Sequence, residues 1–249
     1  MECEQIICDL LDRMGFKFEN STQLVESWNE YLRMLCKLGD ECSDALIQIG
    51  QELLAQVDEV EWTIEYKLWM VLLAIARRNQ PGALELTADA LVSEKTRRKE
   101  EYVDILDGFE DPRAIPALMY AIEVDRSTGD MGGWTRCKAI KALLRLDAKE
   151  AASMIIPYIK DSVDRVRSAA IKFLIALNIG EAAPIFIEQL GEEDDPDNLE
   201  NLISGLVLWK QTESLPLLRD ILASDWIQAD EELGVVVKDA ISALETIDT

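Results

Sequence analysis

Ala114-Ile115-Pro116-Ala117-Leu118, Ala182-Ala183-Pro184-Ile185-Phe186 and Ser214-Leu215-Pro216-Leu217-Leu218 are one short helix opening written three times. Ala151-Ala152-Ser153-Met154-Ile155 is a version without proline, and Ala83-Leu84-Glu85-Leu86-Thr87 a weaker one. The openings start at 83, 114, 151, 182 and 214, so the steps are 31, 37, 31 and 32 residues. A period in this range marks stacked helical pairs, each unable to bury its apolar face without its neighbours.

A second helix follows each opening. Arg165-Val166-Arg167-Ser168-Ala169-Ala170-Ile171 through Leu177 aligns without gaps on Trp134-Thr135-Arg136-Cys137-Lys138-Ala139-Ile140 through Leu146. Ala139, Ile140, Leu143 and Leu146 match Ala170, Ile171, Leu174 and Leu177, which gives one buried stripe per helix. With its Asp, its Val-Arg pair and its Ala-Ala-Ile-x-x-Leu, the segment from Asp161 to Leu177 resembles the HEAT-like repeat of phycobilisome lyases and many bacterial solenoids. The resemblance covers residues 81 to 248 and is strongest from 111 to 190. It implies an all-α fold, a right-handed α-α superhelix (a HEAT-like solenoid). It leaves activity open, since such repeats serve lyases, DNA-repair enzymes and scaffolds alike. The last helix, about 229 to 247, keeps the stripe Leu233, Val237, Ala240, Ile241, Leu244, Ile247 without the Val-Arg signature, as a capping helix would.

Residues 1–80 are helical but off-pattern, so two parts are expected: an N-terminal helical group at 1–80 and repeats at 81–249. Leu24, Trp28, Tyr31, Leu35 and Leu38 follow a 4, 3, 4, 3 spacing, as do Trp62, Tyr66, Trp69, Leu73 and Ala76. Both stripes are expected to be core seams, with shorter helices near 3–14 and 42–57 beside them. The alternative use of the aromatics is a ligand platform.

Composition narrows the function. No run is apolar and long enough to span a membrane, and the first residues are acidic where a secretory signal is basic. Five cysteines without a Cys-x-x-Cys pair read as reduced, mostly buried thiols, Cys3, Cys8, Cys36, Cys42 and Cys137, in a cytoplasmic protein. Histidine is absent, which removes Ser-His-Asp and Cys-His catalysis and histidine-ligated metals. No cofactor or metal site is expected. The formal charge of −23 is uneven. Residues 134–177 carry nine bases and four acids, whereas 178–249 carry 17 acids and three bases. Such a field disfavours nucleic acid and attracts a protein partner with a basic surface. The acidic run Glu192-Glu193-Asp194-Asp195-Pro196-Asp197 has no EF-hand spacing and reads as a solvated turn.

The candidate site is a basic ladder. Arg136 and Arg167 are equivalent, as are Lys141 and Lys172, each pair 31 residues apart. The resemblance places these second helices on the concave groove, where rows of bases grip carboxylates or phosphates. In the competing reading the arginines pair with an Asp of a neighbouring repeat, with Asp161 and Asp164 as candidates, while the lysines stay accessible. The 37-residue step places six extra residues near Asp125 to Trp134, with Trp134 as an exposed anchor beside three glycines. Lys95-Thr96-Arg97-Arg98-Lys99, followed by Glu100 and Glu101, reads as a helix start with local charge pairing. Trp209 and Trp226 near helix ends are further anchor candidates.

Together these readings favour a non-enzymatic protein-interaction module: an adaptor, assembly factor or immunity-type inhibitor. Two enzymatic alternatives stand beside it. One is a bilin lyase-type role with the ladder holding propionates. The other is a DNA glycosylase-type role for which Trp134, Asp164 and Trp209 are available. The oligomeric state is not readable from the sequence.

Overall fold

The structure, a computed structural model, describes residues 2–14, 21–57, 62–129, 132–225, 227 and 230–247; within 21–28 it describes the backbone alone. Trp226, Asp130 and Met131, and the side chains of Leu24 and Trp28, therefore lie outside the described residues. The described residues form α-helices and 3-10 turns with no strand, the all-α helical solenoid that the repeats imply. In chain order these are α1 Glu2–Asp12, α2 Ser21–Cys36, α3 Ser43–Gln56, α4 Trp62–Arg77, α5 Ala83–Val92, α6 Lys99–Asp107 and α7 Ile115–Val124. There follow α8 Trp134–Arg145, α9 Ala152–Ile155, α10 Asp164–Ala176, α11 Ala183–Leu190, α12 Pro196–Leu208, α13 Leu215–Ala223 and α14 Glu231–Glu245.

The backbone carries the repeat phase. Among the described residues, five non-glycine residues have positive φ: Asn79, Glu110, Asp147, Asn178 and Lys210. Their spacings of 31, 37, 31 and 32 reproduce the steps of the sequence openings. Each is the left-handed residue that ends a second helix. At four of them the next N–H reaches back five residues: Gln80 to Ile75, Ala148 to Leu143, Ile179 to Leu174 and Gln211 to Leu206, at 2.8–3.0 Å. This bond satisfies a carbonyl that the helix end would otherwise strand. Short 3-10 turns then close on Ala114, Ala151, Ala182 and Ser214, and the next helix starts one residue later. A left-handed lysine is strained where glycine is not. Lys210→Gly is therefore expected to raise stability by about 1 kcal/mol, read as a higher urea midpoint. Asn178→Gly should give no such gain, because Asn178 Oδ1 also accepts a 3.1 Å bond from Trp209 Nε1.

The chain packs as two compact units, Met1–Ala121 and Ile122–Thr249. The repeat-based boundary at 80/81 uses a different criterion, the onset of the 31-residue pattern, and remains an expectation.

In the first unit α4 packs against α2, α3, α5 and α6. Surrounded in this way, it buries Leu68, Met70, Val71, Leu72, Ala74 and Ile75. The expected seam Trp62, Tyr66, Trp69, Leu73, Ala76 is thus not the core face. Trp62 is 53% exposed, and Tyr66, Trp69, Leu73 and Ala76 are half-buried. Both stripes of α4 have helical spacing, so periodicity could not choose between them. The aromatics stack edge-on, Trp62 to Tyr66 at 5.3 Å and Tyr66 to Trp69 at 6.3 Å, with the Arg98 guanidinium over both inner rings at 4.0 and 4.8 Å. In the other stripe, Tyr31 is half-buried and Leu35 fully buried.

Glu65, on the buried face of α4, accepts bonds from the backbone N–H groups of Arg97 (2.6 Å) and Arg98 (2.8 Å), and so caps α6 from another helix. Lys99 donates to the carbonyls of Leu91 and Ser93 at 2.5 Å and to Thr96 Oγ1 at 2.9 Å, closing the end of α5. Burial pulls its pKa down to about 8 against the opposing pull of Glu65 and Glu94. The expected local charge pairing is present as Arg98–Glu101 at 2.6 Å.

The cysteines depart from the expected all-reduced state. Cys3 and Cys42 form a disulfide with Cα atoms 5.3 Å apart, tying α1 to the turn before α3. They are 39 residues apart in sequence, so only the packing of α1 on α3 brings them together. Cys8 is exposed, contrary to the expected burial, whereas Cys137 is buried.

The second unit has two layers. Second helices α8, α10, α12 and α14 pack side by side in that order. The segment Ala152–Lys160 packs beneath α10, α11 against α12, and α13 against α14. Small residues allow close approach: a Cβ on Gly205 of α12 would lie 2.8 Å from Phe186 and 3.0 Å from Ile175. The final helix buries Leu233, Val237, Ala240 and Leu244, while Ile247 is 42% exposed beyond its end.

Candidate interaction face

The second-helix layer of the second unit holds every candidate of the basic ladder. α8 and α10 are neighbours, so residues 31 apart stand beside one another in rows.

Nine residues, 125–133, separate α7 from α8, where three, 161–163, separate the matching elements of the next repeat. The difference is the six-residue insertion. Arg136 organises its described part. Its guanidinium bonds to the carbonyls of Asp125 and Ser127 (2.8 Å to the latter), and lies 3.2 Å from Asp161 and 3.5 Å from the Asp125 carboxylate. Asp125 also accepts a 3.1 Å bond from the Arg136 backbone N–H. The Ser127 hydroxyl accepts a 2.8 Å bond from Gly133 N–H. All three charged side chains of this triad are at least nine-tenths buried. Gly133, at φ +72°, turns the chain into α8, where a Cβ would meet Val166 at 2.6 Å.

One repeat on, Arg167 does the same work with different acids. It makes a fork to Glu193, Nε to Oε2 at 3.0 Å and Nη2 to Oε1 at 2.7 Å, and donates to the Asp161 carbonyl at 3.1 Å. The Glu193 side chain has no solvent exposure. Burial pushes its carboxyl up, but bonds from Arg167, Gln189 and the Asp195 N–H outweigh this and hold it below the usual carboxylate range. The expected solvated turn is therefore only half right. Glu192, Asp194 and Asp197 are exposed, but Glu193 is buried, and Asp195 caps α12 through a 2.9 Å bond from Asn198 N–H.

The ladder thus divides. Arg136 and Arg167 direct their charge inward, as in the pairing reading; Asp161 is an acid of that pairing, and Glu193, hidden in an acidic run, is the one that sequence reasoning missed. Lys141 and Lys172 are exposed, and among the described residues neither makes an ion pair. Trp134 is 41% exposed, with the Arg165 guanidinium 4.4 Å from its ring centre. Arg165 also donates to the Gly132 carbonyl at 2.6 Å. Arg165 occupies the position equivalent to Trp134 in the gapless match of the two helices. Trp209 is half-buried, its ring edge-on to Phe186 at 4.7 Å. Its indole N–H is spent on Asn178, which accounts for it within the core.

Among the described residues no group of three or more His, Cys, Asp or Glu is placed to hold a metal ion, and no helix is long and apolar enough to cross a membrane.

Residues 124–206 match the family model of HEAT repeats. No curated protein matches the chain. Among solved structures, the chain is similar to a chain of the complex of CpcE and CpcF of phycocyanin lyase from Nostoc sp. PCC7120. The identity is 15%, the TM-score is 0.46, and 94% of this chain and 93% of that chain are covered.

Proposed function

Because this chain is a HEAT-like repeat protein, we propose that it is a non-enzymatic interaction module that holds a partner protein against its second-helix layer. HEAT repeats in general mediate protein interactions. The observation that carries the reading is the division of the ladder: the arginines stabilise the backbone, while Lys141, Lys172 and Trp134 face outward. The partner is a protein whose basic surface meets the acidic helices α12 and α14, where Asp197, Glu200, Glu231, Glu232 and Asp239 are exposed.

The test is a pull-down from the native organism's lysate at low and moderate salt, run in parallel with an Asp197→Lys/Glu200→Lys/Asp239→Lys variant. One stoichiometric protein, retained by the wild type and lost both to the variant and to salt, is the expected result. Retention of pigment or nucleic acid in place of a protein overturns the reading.

A further inference from the structure

The two ends of the Cys3–Cys42 bond stand in different surroundings. Cys42 is 3% exposed and closes the turn Asp40–Cys42 that leads into α3. Arg78, just past the end of α4, holds the chain that enters this turn. Its guanidinium donates to the carbonyls of Cys36 at 3.2 Å, Leu38 at 2.5 Å and Gly39 at 3.2 Å. The Cys42 end is therefore fixed to the packed interior of the first unit. Cys3, in the first turn of α1, is half-buried. Of the eleven residues of α1, Ile7 and Leu11 are buried, while Ile6 is 43% exposed. At the other end of the helix Lys67 pairs with Asp12 at 2.7 Å, and the Tyr31 hydroxyl donates to the Arg13 carbonyl at 2.5 Å. Asp12 is 74% exposed, so that pair contributes little. A helix this short is marginal in water by itself.

The bond thus joins a fixed turn to a lightly held helix. It spans 39 residues of sequence, so it restricts the chain strongly whenever α1 lifts from α2 and α3. Cys8, Cys36 and Cys137 are thiols. A single cystine among thiols, with one half on a part-exposed residue of a terminal helix, has the setting of an exchangeable bond. Permanent cross-links come instead in sets, in chains that lack a sufficient core. Access decides the direction of attack. An incoming thiolate meets Cys3 first, because Cys42 lies beneath it.

We infer that the Cys3–Cys42 bond is a redox-reversible clamp: oxidised, it holds α1 on α2 and α3, and exchange with a dithiol reductant lets α1 lift away. In the first step the reductant's thiolate attacks the Cys3 sulfur. The S–S bond breaks, its electron pair leaves on the Cys42 sulfur, and Cys42 takes up a proton. The second thiol of the reductant then displaces the Cys3 thiolate, which is protonated in turn. Two thiols form in the chain, and the dithiol becomes a disulfide. The clamp goes beyond the proposed interaction module. It lies in the first unit and is read on the purified protein alone, so either reading can fail without the other.

The experiment compares the full chain after treatment with glutathione disulfide and after dithiothreitol, both without denaturant. Alkylation in denaturant followed by mass spectrometry should count three thiols in the first sample and all five in the second. Amide exchange then reads the helix. Reduction should speed exchange at Ile7 and Leu11 at least about tenfold more than at Val71 and Leu72 of α4, and renewed oxidation should reverse this. Cys3→Ser should behave like the reduced wild type under both treatments, and Cys8→Ser like the wild type in each. The reduced wild type carries no substitution, so the test does not depend on how a variant folds. Cys3 and Cys42 found as thiols after glutathione disulfide, or paired with other cysteines, overturn the proposal. So does a bond that dithiothreitol cannot open in the folded chain. Equal acceleration of α1 and α4 would make the bond a staple of the whole unit and overturn the clamp as well.

Discussion

Arg167→Met is expected to destabilise the second unit by about 3–5 kcal/mol at pH 7, because it leaves the Glu193 carboxylate buried without its counter-ion. The cost belongs to the stranded charge more than to the lost pair. Arg167→Met/Glu193→Leu should accordingly recover most of the loss, whereas a purely additive pair would not. The pH dependence follows from the depressed carboxyl. In the wild type Glu193 contributes stability that is fully present above the unfolded value of about 4.3 and is lost as pH falls through the lower folded value. In the variant burial is opposed only by the bonds from Gln189 and the Asp195 N–H, so the carboxyl titrates higher than in the wild type and takes up a proton earlier as pH falls. The gap between wild type and variant should be widest near neutrality and should narrow as pH drops below about 5. Urea titrations from pH 4 to 7.5 measure this; a gap independent of pH would refute the assignment to Glu193.

Arg136→Met should have a comparable effect, again about 3–5 kcal/mol, with a different signature. Two carboxylates, Asp125 and Asp161, lose their shared cation, and the carbonyls of Asp125 and Ser127 lose their donor. Arg136 ties the start of the connection between α7 and α8 to Asp161 beyond it, so that connection should open locally before the unit unfolds. Amide exchange checks this. Gly133 N–H, which bonds to Ser127 Oγ, should exchange faster by at least about tenfold, while Ile140 and Leu143 in α8 follow global stability. Equal acceleration throughout α8 would assign Arg136 a global role only.

The two arginines show what the sequence makes legible. Phase was readable because the same small and apolar residues must recur wherever one helical pair packs on the next. The structure places a turn and a left-handed cap at each of those positions. Equivalence across 31 residues then foretold that Arg136 and Arg167 do like work, and Asp161 was foreseen as a partner. Glu193 was not, because a glutamate within a run of acids carries no mark of which one turns inward. That choice is made by the bend from α11 to α12. The same limit applies to Glu65, a carboxylate within a helix whose role as a cap exists only once α6 is brought to it. It applies to α4 as well. A helix with neighbours on several sides is apolar on more than one stripe, and the bulkier stripe, Trp62, Tyr66 and Trp69, proved to be the outer one. The Cys3–Cys42 pair depends on the packing of α1 on α3, which no local pattern encodes.

The left-handed caps have a consequence for how this chain tolerates change. From each cap to the opening that follows is always four residues: 79 to 83, 110 to 114, 147 to 151, 178 to 182 and 210 to 214. The connections inside the pairs vary instead, with six residues after α5, nine after α7, three before α10 and five before α12. The joints between repeats therefore behave as fixed couplings, and those within a repeat as adjustable ones. Length can be added within a pair without disturbing the stacking of its neighbours. A residue inserted at a coupling would rotate everything downstream by a fraction of a helical turn. An added residue is thus absorbed at one kind of junction and propagated at the other.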